Sequence, residues 1–219
     1  MAEVLIISGA YGVGKSEFAT QLALSKTPCT IVDLDIINPY FRPREQALWL
    51  ASQGVNVVGS LLKNHINQDF PAMSGELRNL VYTDQLVIVD LAGSENGLKP
   101  LASYTDILQS AQVWIVVNLN RPESQPEHIK TMIELFQSRS HLKVTGLVHN
   151  THWLDETTTA DIIYSQAICE QVAKDCQLPI RYTMIPNHLL AEVQAEINNP
   201  ILTFKRLILR PDWMKGEFR

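Results

Sequence analysis

Short runs of β-branched and aliphatic residues recur along this chain, separated by stretches in which apolar positions return every three or four residues. The runs fall at Val4–Ser8, Thr30–Asp33, Val55–Gly59, Leu86–Asp90, Val113–Asn118, Val144–His149 and Ile180–Met184. Most are continuously apolar rather than alternating, the pattern of strands covered by helices on both faces. Between them, Ile129, Met132, Ile133 and Phe136 mark one face of a helix. Its start is read at Ser124-Gln125-Pro126-Glu127, a capping box with proline in the first turn. Strand–helix alternation over the whole length predicts an α/β fold, a three-layer, doubly wound, mostly parallel sheet of about seven strands. No repeat, low-complexity tract or linker interrupts it. Residues 1–219 are therefore expected to form a single domain, with C-terminal helices from about residue 188 packed on it.

Composition narrows the function classes without choosing among them. The chain is 46% hydrophobic and 19% charged, with a net charge of −5, which argues against disorder and gives no basic footprint for nucleic acid. The start, Met1-Ala2-Glu3, lacks a cationic leader, and apolar runs of about five residues fall far short of the ~20 a membrane helix needs. Cys29, Cys169 and Cys176 form no C-x-x-C pair, which suits reduced thiols and a cytoplasmic location.

Candidate chemistry is concentrated at the first strand–helix junction. Gly9-Ala10-Tyr11-Gly12-Val13-Gly14-Lys15-Ser16 matches G-x-x-x-x-G-K-[ST], preceded by the apolar strand Val4-Leu5-Ile6-Ile7 and followed by a helix through Phe18, Ala19, Leu22 and Ala23. Glycines let consecutive N–H groups converge on phosphate oxygens, and the helix N-terminus adds its positive end. Lys15 is expected to neutralise the β- and γ-phosphates and Ser16 to ligate Mg²⁺. Gly9, Tyr11, Gly12, Val13, Gly14, Lys15, Ser16 and Glu17 form the candidate phosphate-binding set, and the fold expected is that of P-loop-containing NTP hydrolases.

Two acidic strand ends complete the candidate site. Asp90 closes Leu86-Val87-Ile88-Val89 and opens Asp90-Leu91-Ala92-Gly93, where the carboxylate suits Mg²⁺ and Gly93 offers an N–H to a γ-phosphate. Asp33 and Asp35, two residues apart after the second strand, would face the same side. The metal candidates are thus Ser16, Asp33 and Asp90, and the catalytic candidates are Lys15 and Asp35.

In this order the motifs resemble the CobQ/CobB/MinD/ParA group of P-loop proteins, over residues 3 to about 190. Val32-Asp33-Leu34-Asp35 is similar to the D-x-D of that group's switch I, and Asp90-Leu91-Ala92-Gly93 to its switch II. Leu147-Val148-His149-Asn150 resembles the strand whose last residue contacts the base, and Leu178-Pro179-Ile180 through Ile185-Pro186 the segment after it. The resemblance implies that Asp35 orients the attacking water, with Asp33 as its switch partner, and that Asn150 and Pro186 lie at the base. One position departs. Much of the group has a second lysine after the first glycine, reaching across a dimer, and here that position is Ala10. Arg42 or Arg44 is the alternative source of a cation.

Guanine selection commonly uses Asn-Lys-x-Asp. Asn118-Leu119-Asn120-Arg121 and Asn150-Thr151-His152-Trp153 both lack the carboxylate, so ATP is expected in preference to GTP. His149, His152, Cys169 and Cys176 are read as structural residues rather than a metal site. The stretch from Ile201 to Arg210 is read as an amphipathic helix packed on the domain rather than on a membrane. Tyr40, Phe41 and Pro43, on the switch I loop, suit either a partner or the sheet edge. The function expected is a slow, Mg²⁺-dependent ATPase switch acting on a protein partner, with homodimerisation open to it. The alternatives are an ATP-dependent synthetase similar to dethiobiotin synthetase or CobB/CobQ, and a nucleotide sensor without hydrolysis.

Overall fold

The computed structural model describes residues 2–35, 42–59, 76–98, 101 and 104–210. Eight strands appear among them: β1 (Glu3–Ser8), β2 (Cys29–Asp33), β3 (Val55–Val58), β4 (Leu86–Asp90), β5 (Gln112–Val117), β6 (Gly146–His149), β7 (Ile180–Pro186) and β8 (Ile201–Phe204). They form one sheet in the order β3-β2-β4-β1-β5-β6-β7-β8, with every neighbouring pair parallel. The longest helices are α1 (Lys15–Ser25), α2 (Pro126–Ser140) and α3 (Thr159–Asp175).

The continuous apolar runs have the cause expected from sequence. Val4 and Ile6 of β1 belong to a core with Ile129, Ile133 and Phe136 of α2 and Val172 of α3. Leu5 and Ile7, on the opposite face, belong to a second core with Phe18, Ala19 and Leu22 of α1. Each fully buried aliphatic side chain contributes about 1.5–3 kcal/mol, and β1 supplies both layers. A polar residue at either parity of β1 would break one of the two.

Two local expectations fail. Residues 201–210 do not form a helix: Ile201–Phe204 is strand β8, paired with β7 from Thr183↔Ile201 to Pro186↔Phe204. Between β7 and β8 the described residues hold a 3₁₀ turn, Asn187–Leu189, and a single α-helical turn, Leu190–Val193. Leu202 and Phe204 are buried while Ile201 and Thr203 are half-buried, the two-residue period of a strand. The capping box at 124–127 is also absent. Gln125 is the N-cap of α2 without a side-chain cap, because the Ser124 hydroxyl instead accepts the Asn118 N–H at 3.1 Å. A reciprocal capping box exists at α3, between Thr158 and Asp161.

Parallel order brings the candidate residues to one end of the sheet. Ile7 and Asp33 both register with Asp90, so the ends of β1, β2 and β4 meet beneath residues 9–14. Tyr40 and Phe41 lie outside the described residues; Pro43 is buried at the start of a 3₁₀ turn, Pro43–Gln46.

Candidate functional site

Between β1 and α1 the chain wraps through Gly9, Gly12 and Gly14, whose φ values of 151°, 73° and 88° belong to glycine. A Cβ on Gly9 would lie 2.5 Å from the Val116 carbonyl oxygen, so the loop is seated directly on β5. Gly14 is the N-cap of α1, which leaves the first-turn N–H groups of the helix without a side-chain cap. Lys15 is buried, and its ammonium donates to the Ala10 carbonyl at 3.2 Å, folding back across the loop. Arg121, after β5, donates through Nε to the Gly12 carbonyl at 3.1 Å.

On the other side of the loop runs Asp90-Leu91-Ala92-Gly93. The Leu91 N–H donates to Ile7 O, and a Cβ on Gly93 would fall 2.0 Å from Gly9 O. Only a residue without a side chain allows this approach. Asp90 is fully buried, and neither carboxylate oxygen has a hydrogen-bond partner. Burial above all, then the Asp33 charge, raises its pKa; the nearby Ser16 hydroxyl (outside hydrogen-bonding geometry) and Lys15 oppose the rise. Asp33 is also fully buried, but it is paired: Arg44 Nε meets Oδ2 at 2.6 Å, and the Asp35 N–H donates to Oδ1 at 3.2 Å. Arg44 is therefore turned inward to the Asp33 carboxylate rather than out to solvent.

Asn150, at the end of β6, donates through Nδ2 to the Val13 carbonyl at 2.7 Å, while its Oδ1 is buried without a partner. Beside it opens a cavity of about 280 Å³. Gly12, Gly14, Lys15 and Ser16 line it together with Asn118, Asn150, His152 and Trp153. Leu207, Leu209 and Arg210 close the side. His152 packs on Phe204 of β8, ring centres 5.1 Å apart, and burial lowers its pKa to about 4. His149, the last residue of β6, is held by Gln166 at 2.8 Å and Ser165 at 3.0 Å, and burial lowers its pKa to about 4 as well. Burial pushes the Cys29 thiol up to about 11 and Cys169 to about 12, so neither is a ready nucleophile.

Apart from Gly9, seated on β5, and Pro186, the sequence-predicted residues separate into three groups. Gly12, Val13, Gly14, Lys15, Ser16, Glu17 and Asn150 line the cavity. Asp33, Asp35 and Asp90 lie buried at the strand ends beneath the loop. Tyr11 is exposed, and together with Ala10 and Gly93 it faces a separate surface hollow against α2. Pro186 ends β7 without lining the cavity, and residues 207–210 occupy that side instead. The pairing of Arg44 with Asp33 and the wall at 207–210 were not foreseen. The first spans an eleven-residue separation in sequence, and the second depends on a strand misread as helix.

No family model matches the sequence, and no curated protein matches it. Solved structures do match. The signal recognition particle receptor FtsY from Elizabethkingia anophelis, in complex with GDP, is 18% identical with a TM-score of 0.55, over 84% of this chain and 58% of that one. FtsY from the chloroplast of Physcomitrella patens is 17% identical with a TM-score of 0.57, over 84% and 58%. The 54 kDa signal recognition particle protein from Aeropyrum pernix K1, in complex with GDP, is 15% identical with a TM-score of 0.54, over 83% and 41%. The fold is that of P-loop NTPases. This P-loop NTPase fold spans less than two thirds of the length of those proteins, and what it shares with them is architecture. Among the described residues, no helix is long and apolar enough to cross a membrane.

Proposed function

We propose that this chain binds Mg²⁺–ATP and acts as a slow ATPase switch on a protein partner, as a cytoplasmic member of the CobQ/CobB/MinD/ParA group. The observation that carries the reading is the convergence on one cavity of a glycine-built loop, a buried ammonium and an asparagine with an unmet acceptor. The donor set fits a nucleoside triphosphate: N–H groups at the start of α1 and the Lys15 ammonium for phosphate, and a polar but carboxylate-poor far end for the base. Ser16 and the unpartnered, buried Asp90 are the residues that would hold Mg²⁺, which when bound offsets charge on the β- and γ-phosphates.

The chain's own residues supply the rest. Lys15 exchanges its Ala10 carbonyl for phosphate oxygen, a short movement from a position already over the loop. The Asn150–Val13 bond fixes the loop relative to the base end. Asp35 orients the attacking water, while the Arg44–Asp33 pair ties the segment after β2 to the strand end. Movement of that segment with the γ-phosphate is the switch that a partner reads. Ala10 offers no cation across a dimer, so turnover without a partner is slow.

ATP is favoured because the acidic group lining the cavity, Glu17, already accepts from Ile208 and Leu209. Among the described residues that line it, guanine N1–H and its 2-amino group would meet no free carboxylate. Calorimetry with Mg²⁺ and each nucleotide tests this: ATP is expected to bind at least about tenfold more tightly than GTP, a difference of about 1.4 kcal/mol. Lys15→Ala should abolish binding of both, and slow phosphate release should disappear in Lys15→Ala and Asp35→Ala. A GTP preference would overturn the base assignment, and unaltered binding by Lys15→Ala would overturn the site.

A further inference from the structure

After β8 the chain crosses back over α1 as a short strap, residues 205–210, and its attachment is specific. The Ile208 N–H donates to Glu17 Oε1 at 2.8 Å and the Leu209 N–H to Oε2 at 3.0 Å, so consecutive amides take both oxygens of one carboxylate. Gln21, one turn along α1, donates from one amide nitrogen to Glu17 Oε1 and to Arg206 O, each at 2.8 Å. The Arg206 guanidinium lies 5.8 Å from the Trp49 ring centre. Thus held, Leu207 and Leu209 are buried, and with Arg210 they line the cavity, as do His152 and Trp153.

We propose that Glu17 is a positioning residue for the nucleoside half of the ligand, its carboxylate fixing the 205–210 strap as the wall against which base and ribose pack. This rests on the nucleotide reading above. Glu17 follows Ser16 directly, so the phosphate end and the nucleoside wall are anchored at adjacent residues of α1. Two hydrogen bonds from neighbouring amides to the two oxygens of one side chain orient the strap as well as hold it. With alanine at 17 both amides lose their acceptor. With glutamine one oxygen remains, and the amide group sets a donor against a donor.

The experiment compares Mg²⁺–ATP with inorganic tripolyphosphate, which carries the phosphate chain and lacks the nucleoside. Both are titrated by calorimetry into the full-length wild type, Glu17→Ala and Glu17→Gln, with hydrogen exchange read at the Ile208 and Leu209 amides. Glu17→Ala is expected to weaken ATP at least about tenfold and to leave tripolyphosphate within about twofold, with Glu17→Gln between. The two amides should exchange slowly in the wild type, slow further with ATP but not with tripolyphosphate, and exchange fast in Glu17→Ala. Equal loss of both ligands, or retention of both, overturns the positioning role. A wild type that binds neither refutes the nucleotide reading itself, and a wild type that binds both separates the two questions.

Discussion

Replacing Gly93 with alanine would set a methyl carbon 2.0 Å from Gly9 O and 2.6 Å from Gly9 C. Ordinary contact needs about 3.5 Å, so one of the two backbones must give way by more than about 1 Å. Rotamer change cannot help, since both partners are main chain. Gly9 cannot easily retreat either, because its other side already abuts the Val116 carbonyl. Overpacking of this kind costs about 1–3 kcal/mol, and a segment trapped between two neighbours belongs at the upper end. For a chain of this size that is a fall of about 6–12 °C in Tm. Thermal unfolding of the ligand-free protein measures it, and calorimetry with Mg²⁺–ATP should show affinity falling about tenfold or more as the loop is displaced. Gly12→Ala is the control. Among the described residues its Cβ would meet only the Arg121 guanidinium, at 3.6 Å, and its cost of about 1–2 kcal/mol comes from the φ of 73°. If Gly93→Ala melts within about 1 °C of the wild type and binds ATP unchanged, the close approach of these two loops is wrong.

Two further predictions concern charge. Burial holds the His149 pKa at about 4 against an ordinary 6.5, so below pH 6.5 the unfolded chain takes up a proton that the folded one refuses. The stability due to neutral His149 is full above that pH and is lost as pH falls through about 4, by about 3 kcal/mol in all. The raised pKa of Asp90 works in the opposite direction, but it cancels in the difference between wild type and His149→Gln; that difference should shrink by this amount from pH 7 to pH 4 in urea unfolding, and a flat difference refutes it. Arg44→Ala leaves the Asp33 carboxylate buried without its ion pair and should cost about 3–5 kcal/mol. Adding Asp33→Asn should recover most of this, and no recovery would mean that Arg44 acts through other contacts.

Sequence was most informative where function depends on consecutive residues. The octet from Gly9 to Ser16 and the strand end at Asp90 each carry their chemistry within eight positions or fewer, and both lie where the local pattern places them. The sheet was legible for a related reason, since strands buried on both faces have no polar positions to blur the runs. β8 escaped because Ile201-Leu202-Thr203-Phe204 is too short to distinguish a period of two from one of 3.6. What decides it is the exposed edge of β7, not a local preference. The Ser124 capping box had the right composition, but its hydroxyl is claimed by Asn118 from the preceding loop. Glu17 reads as part of the phosphate loop from its place beside Ser16; that its side chain serves a segment about 190 residues away depends wholly on tertiary structure.

The arrangement of the sheet has a consequence for how the protein is made. β1 emerges from the ribosome before its two partners, β4 and β5, which lie more than 80 and 100 residues downstream. Parallel pairing at such separations is slow, because the chain between must close before any contact rewards it. During synthesis the nascent loop after β1 gains its contacts with Gly93 and Val116 only when those residues arrive, its brace from Asn150 later, and the strap once residues 208 and 209 have been added. The loop region therefore comes together in stages and late, which leaves the apolar strand β1 in need of shielding until β4 and β5 arrive.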